Sequence, residues 1–170
     1  MCKDSDEMKN ELGNSKNDPA NPQVGTSRVQ LFGAGPLQFG VSEEDVATIA
    51  HWRPPTSLPH APEAVLGVVS IQGRMLTVLD LARLSGVDAP TKESYTKIIA
   101  LRGDEQLAVA ATAMGEAIKI SPADVAVGTN GSERFVRGIF SPSGADIRLL
   151  NVSELFSAAL HGRERRRRRF

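Results

Sequence analysis

Three histidines and a single cysteine are the residues from which a reactive or metal-binding centre would have to be built, and their placement does not build one. His51, His60 and His161 stand at no helical or strand spacing from another histidine, cysteine or carboxylate, so no ligand set forms and no metal is expected. His51, beside Trp52, reads as the polar tip of a strand end, and His60 sits in the proline-rich run Pro54 to Pro62. Cys2 lies in a polar N-terminal stretch, which excludes an intrachain disulfide and a cysteine zinc cluster. Ser141-Pro142-Ser143-Gly144 reads as a turn rather than a nucleophile elbow. Gly33-Ala34-Gly35-Pro36 reads as a hairpin and Gly128-Thr129-Asn130-Gly131 as a short glycine cluster, neither opening a helix that would cradle phosphate. The acidic run Glu43-Glu44-Asp45 points its carboxylates in alternating directions on an extended segment, which suits a solvated loop better than a cation. The residue inventory therefore predicts no catalytic residues, no cofactor and no small-molecule substrate.

The strongest charge feature is the run Arg165 to Arg169, which would attract phosphate-bearing surfaces in a salt-sensitive way. Elsewhere the charges cancel, with 20 basic against 20 acidic residues. Three lysines against five carboxylates give residues 1–27 a net charge of −2, and six arginines against one glutamate give 163–169 a net +5. Aromatic residues are sparse, which argues against a base-stacking surface. With no interleaved aromatics and no amphipathic helix evident beside the arginines, nucleic acid and membrane are not the expected partners. No secretory signal is evident at the start and no apolar run is long enough to span a bilayer, so the expected location is the cytoplasm.

Residues 1–27 are rich in Asn, Asp, Ser, Lys and Pro and cannot bury enough apolar surface to offset the entropy of ordering, so they read as a disordered leader. From Arg28 onward, short apolar bursts alternate with Gly, Pro and Asp, the pattern of an all-β chain. Strands are predicted at 29–32, 37–41, 46–51, 65–71, 75–79, 97–101, 106–111, 116–120, 135–140 and 146–150. Two helical signals interrupt them, a short turn over 80–84 and a longer segment that Asn151 opens and Gly162 is expected to close. The stretch from Val68 to Leu81 echoes the stretch from Val136 to Val152, each a strand, a Gly turn, a strand and a polar cap before a helix. Two small barrels sharing a core fit that echo, since closure removes exposed sheet edges.

Phe39-Gly40-Val41, with the downstream run Leu58-Pro59-His60-Ala61-Pro62-Glu63-Ala64-Val65-Leu66-Gly67-Val68-Val69-Ser70-Ile71-Gln72-Gly73-Arg74-Met75 and Leu76-Thr77-Val78-Leu79-Asp80-Leu81, resembles the CheW family of chemotaxis coupling proteins. Phe135-Val136-Arg137-Gly138-Ile139 and Leu149 to Phe156 resemble its closing segment, so the likeness spans about residues 28–160 in order. The resemblance implies two intertwined SH3-like β-barrel subdomains with short helices, one of them near the C-terminus. It implies a domain at 28–162 and, after it, a basic tail at 163–170. It also implies a non-catalytic adaptor that binds the regulatory domain of a CheA-type histidine kinase and the cytoplasmic tip of chemoreceptors.

Three positions depart from the family pattern. Gln72 stands where CheW-like chains usually carry Arg before the turn glycine, and Thr48 where a Glu commonly ends the earlier strand. Two opposite charges are thus replaced by neutral hydrogen-bonding residues, which strands neither. The family's carboxylate in the second half is also changed, within Ala108-Val109-Ala110-Ala111-Thr112. The expectation is a divergent adaptor; the alternatives are a CheW-like decoy and an anionic-surface binder acting through the arginine tail. Candidate protein-binding residues are Val46, Thr48, Gly67, Val69, Ile71, Gln72, Gly73 and Met75. Strand alternation puts Val69, Ile71 and Gly73 on one face and Val68, Ser70 and Gln72 on the other, and only one of those faces can be core.

Overall fold

A computed structural model describes residues 25–127 and 133–167, those from 162 onward by backbone alone. Most of the expected leader, the Gly128–Gly131 cluster and the last three residues of the basic tail lie outside the described residues.

Among the described residues eleven strands form two sheets. The first sheet runs in the order β8 (Ala113–Ile120), β1 (Ser27–Ala34), β2 (Leu37–Ser42), β11 (Ile147–Leu150), β10 (Val136–Phe140), β9 (Val125–Ala126). The second runs β3 (Val46–His51), β6 (Lys97–Leu101), β7 (Leu107–Ala111), β5 (Arg74–Leu79), β4 (Val65–Ile71). Two helices come directly after hairpins, α1 (Leu81–Leu84) after β4–β5 and α2 (Val152–Arg167) after β10–β11. Ten of the strands fall where the apolar bursts predict them. β9 does not: two residues are too few to show any period.

The sheets are assembled by reciprocal exchange. The hairpin β1–β2 leads the chain yet pairs with β8 and β11 from its far end, while β6–β7 pairs with the earlier β3 and β5. Both sheets place one parallel pair at the same point, β2 beside β11 and β7 beside β5. The echo between the halves is real but shifted on its first strand. Val65 opposes Leu79 as Val136 opposes Leu150, and each pair gives way to a bulge leading to Gly67 or Gly138. Gly67 therefore matches Gly138, whereas the sequence echo sets Ser70 there; the shorter turn of the first hairpin is offset by its longer strands, so the two hairpins span the same length.

Exchange explains the shared core. Phe32, Phe39 and Val41 of the first sheet pack in one cluster with Leu79, Ile99, Leu101 and Val109 of the second and with Leu155 of α2. All five residues of β7 are buried, as expected for a strand between a parallel and an antiparallel neighbour. β3 instead alternates half-buried and exposed positions, the mark of an outer strand.

α1 is fixed at both ends. Asp80, fully buried, accepts hydrogen bonds from the amides of Ala82 and Arg83 and from the Tyr95 hydroxyl at 2.5 Å, and its carboxylate pairs with Arg83 at 3.5 Å. Burial, then the bond to Asp80 and its charge, push the Tyr95 hydroxyl well above the ordinary tyrosine range, with Arg83 pulling the other way. Gly86, at φ +79°, ends the helix, and the Val87 amide reaches back to the Ala82 carbonyl. Gly162 does not end α2, which continues to Arg167. The neighbouring residues account for the difference. Gly86 is succeeded by half-buried Val87, whereas Gly162 is followed in the sequence by arginine and glutamate, residue types that favour helix.

Candidate protein-binding surface

The eight candidate residues divide by depth and by place. Gly67, Val69 and Ile71 are buried. Val69 and Ile71 pack with Val78, Tyr95 and Ile98, so their side chains line the core face of β4 and hold the strand in place. Gly67 has φ +144°, and a Cβ there would stand 2.3 Å from the Thr56 carbonyl oxygen, because Thr56 bridges Val68 through two backbone hydrogen bonds. Its role is close approach, which only glycine permits.

Gln72, Gly73 and Met75 are exposed. Gln72 and Gly73 form a two-residue turn between Ile71 and Arg74, with φ +50° and +78°, the pattern of a type I′ hairpin turn. Glycine suits its place; glutamine in the left-handed region costs about 1 kcal/mol. Met75 is 59% exposed, an unbranched apolar side chain on a surface beside Arg74.

Val46 and Thr48 are half-buried on β3, at the other end of the strand order from β4. Thr48 and Gln72 are therefore not on hydrogen-bonded neighbouring strands. A bulge between Val46 and Thr48 breaks the register with β6, and Arg102 holds it, its amide bonding the Asp45 carbonyl and its Nε the Val46 carbonyl. Among the described residues β3 pairs only with β6, so its outer edge presents free backbone donors and acceptors. Ile49 on this strand is 41% exposed and is not among the sequence candidates; alternation, which sets Ile49 on the face opposite Thr48, is the signal that points to it. His51 ends the strand, with Lys97 Nζ 3.2 Å from its Nδ1.

The second-half departure from the family pattern is mostly internal. Ala108 to Ala111 are buried in β7, and Thr112 stands half-buried at the adjoining turn, its amide bonded to the Gly33 carbonyl. Near the start of α2 a groove of about 320 Å³ opens among Asp45, Arg102, Glu105, Leu107 and Ser153. The acidic run Glu43–Asp45 forms one 3-10 turn, and Glu43 pairs with Arg28 at 3.4 Å. Among the described residues no group of three or more His, Cys, Asp or Glu is placed to hold a metal ion, and no helix is long and apolar enough to cross a membrane.

Comparison with known proteins agrees with this architecture. A chemotaxis protein CheW of Rhizobium meliloti (strain 1021) is 28% identical over 130 residues, covering 74% of this chain and 84% of the relative. A probable chemotaxis protein CheW of Rhizobium etli is 26% identical over 138 residues, covering 78% and 89%. The crystal structure of the scaffolding protein TtCheW from Thermoanaerobacter tengcongensis superposes with a TM-score of 0.65 at 20% identity, covering 75% of this chain and 90% of that one, and shares the fold of two SH3-like subdomains. The CheW-like domain family matches residues 28–160, and with that match the chain belongs to the CheW family, the adaptors of chemotaxis signal transduction.

Proposed function

We propose that the chain works in the cytoplasm as a bivalent, non-catalytic scaffold that holds the cytoplasmic tip of a chemoreceptor and the regulatory domain of a CheA-type histidine kinase in register. The observation that carries this reading is the presence of two separate exposed faces on one sheet. One is the open edge of β3 with Ile49; the other is the Gln72–Met75 turn at the far end of the strand order. An open edge suits a partner that adds a strand or lays an apolar face along it, and an exposed methionine suits an irregular apolar surface. Thr48 and Gln72 are neutral, so Arg74 is the charge left within the Gln72–Met75 turn, and affinity falls only modestly as salt rises.

Titrating the purified chain against a kinase regulatory domain and, separately, a receptor cytoplasmic fragment tests the proposal. Binding to both, at micromolar affinity and with weak salt dependence, is expected. Binding to neither overturns it. A second reading, a decoy that engages one partner only and limits assembly of the other, is favoured by the loss of both family charges at Thr48 and Gln72; it is the outcome if one titration is flat.

A further inference from the structure

We propose that the open edge of β3 takes an acidic strand: a partner segment that adds to that edge with an apolar residue opposite Ile49 and an aspartate or glutamate, two residues away, opposite His51. This proposal rests on the β3 edge being a contact face and adds the chemistry of what lies there. In the register of β3 with β6, Ile49 stands across from Ile99 and His51 across from Lys97, so all of them share one face of the sheet. Ile99 is fully buried in the core that joins the two sheets, while Ile49 is 41% exposed and His51 is exposed at the end of the strand. At this edge the face passes from core to apolar rim to charge.

The charge there is of one sign and one hydrogen-bonding sense. Lys97 Nζ lies 3.2 Å from His51 Nδ1. An ammonium only donates, so Nδ1 accepts and the imidazole proton is on Nε2. Lys97 keeps further N–H donors, His51 keeps its Nε2–H, and exposed Arg53 follows two residues on. The ion pairs among the described residues join Arg28 to Glu43, Arg83 to Asp80 and Arg148 to Glu133, and none takes in His51, Arg53 or Lys97. A patch made of donors and carrying positive charge calls for a negatively charged acceptor, and a carboxylate is both. The free N–H and C=O groups of β3 decide what bears the carboxylate: a polypeptide strand continues the ladder, and a lipid headgroup or a nucleic acid backbone cannot. β3 holds no acid to repel such a strand and no proline to interrupt the ladder. The acidic turn Glu43–Asp45 precedes β3 at its other end, so the partner's carboxylate belongs at the His51 end alone.

The test titrates the full chain and its variants against a receptor cytoplasmic fragment and, separately, a kinase regulatory domain. Ile49→Ser is expected to weaken one of the two partners by roughly tenfold, which identifies the occupant of the β3 edge. Toward that same partner Lys97→Gln is expected to lose roughly threefold and Lys97→Glu roughly tenfold, with Lys97→Arg binding as the parent does. Raising salt should weaken the parent more than Lys97→Gln, as the loss of an ion pair requires. Lys97→Gln keeps most of the side-chain stem, and an unchanged melting temperature shows that each variant folds. A loss with Ile49→Ser but parent-like binding by Lys97→Gln and Lys97→Glu overturns the proposal and leaves the β3 contact standing. So does an equal loss from Lys97→Gln and Lys97→Arg, since the effect would then not be charge. Parent-like binding of both partners by Ile49→Ser overturns the β3 contact itself, and the proposal with it.

Discussion

The two halves of the chain build the same unit, a hairpin with a glycine bulge, a polar cap and a helix, and then use it differently. In the first, β4–β5 turns in two residues, Asp80 is buried under three donors, and Gly86 stops the helix after one turn. In the second, β10–β11 turns through the broader Ser141–Asp146 loop, Asn151 is half-buried and neutral, and the helix runs for 16 residues. The first unit is tied down at every point except its exposed turn. The second leaves its helix to extend beyond the core. Strength of local fixation, more than sequence likeness, decides which unit presents a rigid face and which an extended arm.

The difference can be broken at the bulge glycines first. Gly67→Ala sets a Cβ against the Thr56 backbone at a φ no L-residue favours, and is expected to cost about 3–4 kcal/mol in urea unfolding. Gly138→Ala meets the Val125 side chain at 2.4 Å and the Ala126 carbonyl oxygen at 3.2 Å, so β9 must shift, but with no strained φ; about 1–3 kcal/mol is expected. Equal losses would mean that the two bulges are alike after all.

The caps give the next contrast. Asp80→Ala removes the acceptor for two amides and the Tyr95 hydroxyl and is expected to cost about 2–3 kcal/mol, whereas Asn151→Ala, whose side chain accepts from Ser153, costs about 1 kcal/mol. The buried hydroxyl adds a pH signature. Since the folded state holds Tyr95 above its unfolded value of roughly 10, its contribution is complete below that pH and is lost as pH rises through the folded value. Tyr95 is the sole tyrosine, so tyrosinate absorbance reports it without interference, and Tyr95→Phe should flatten the alkaline loss of stability.

The smallest expected effect is a gain. Gln72→Asn suits the left-handed turn position better and should raise stability by about 0.5 kcal/mol, read as a higher urea midpoint at unchanged slope.

Most of the strand positions are legible in the sequence because each carries a period-2 or continuous apolar pattern. The echo between β4–β5 and β10–β11 is legible because each hairpin ends on a polar cap. The features that are not legible depend on distant partners. Alternation groups Val69 with Ile71, but only packing against Tyr95 and Ile98 shows that their face is the inner one. The separation of Thr48 from Gln72 comes from the insertion of β6 and β7 between their strands, a long-range exchange that no local signal encodes. Gly86 and Gly162 look alike as stop signals until the residues that follow them are considered. Ile49 is legible from the alternation of its strand, which sets it on the face opposite Thr48.

We propose that the exposed Gln72–Met75 turn of the first unit is a contact surface and that the Ser141–Asp146 loop of the second is not. The measurement is the affinity of a receptor cytoplasmic fragment and of a kinase regulatory domain for Met75→Asp and, as the matched change on the β10–β11 loop, Ser143→Asp. Both positions are exposed, so both variants should melt where the parent does. Met75→Asp is expected to weaken at least one partner by tenfold or more, about 1.4 kcal/mol, with Ser143→Asp unchanged toward both. Unchanged binding by Met75→Asp, or an equal loss from Ser143→Asp, would contradict the assignment of the contact surface to the first unit.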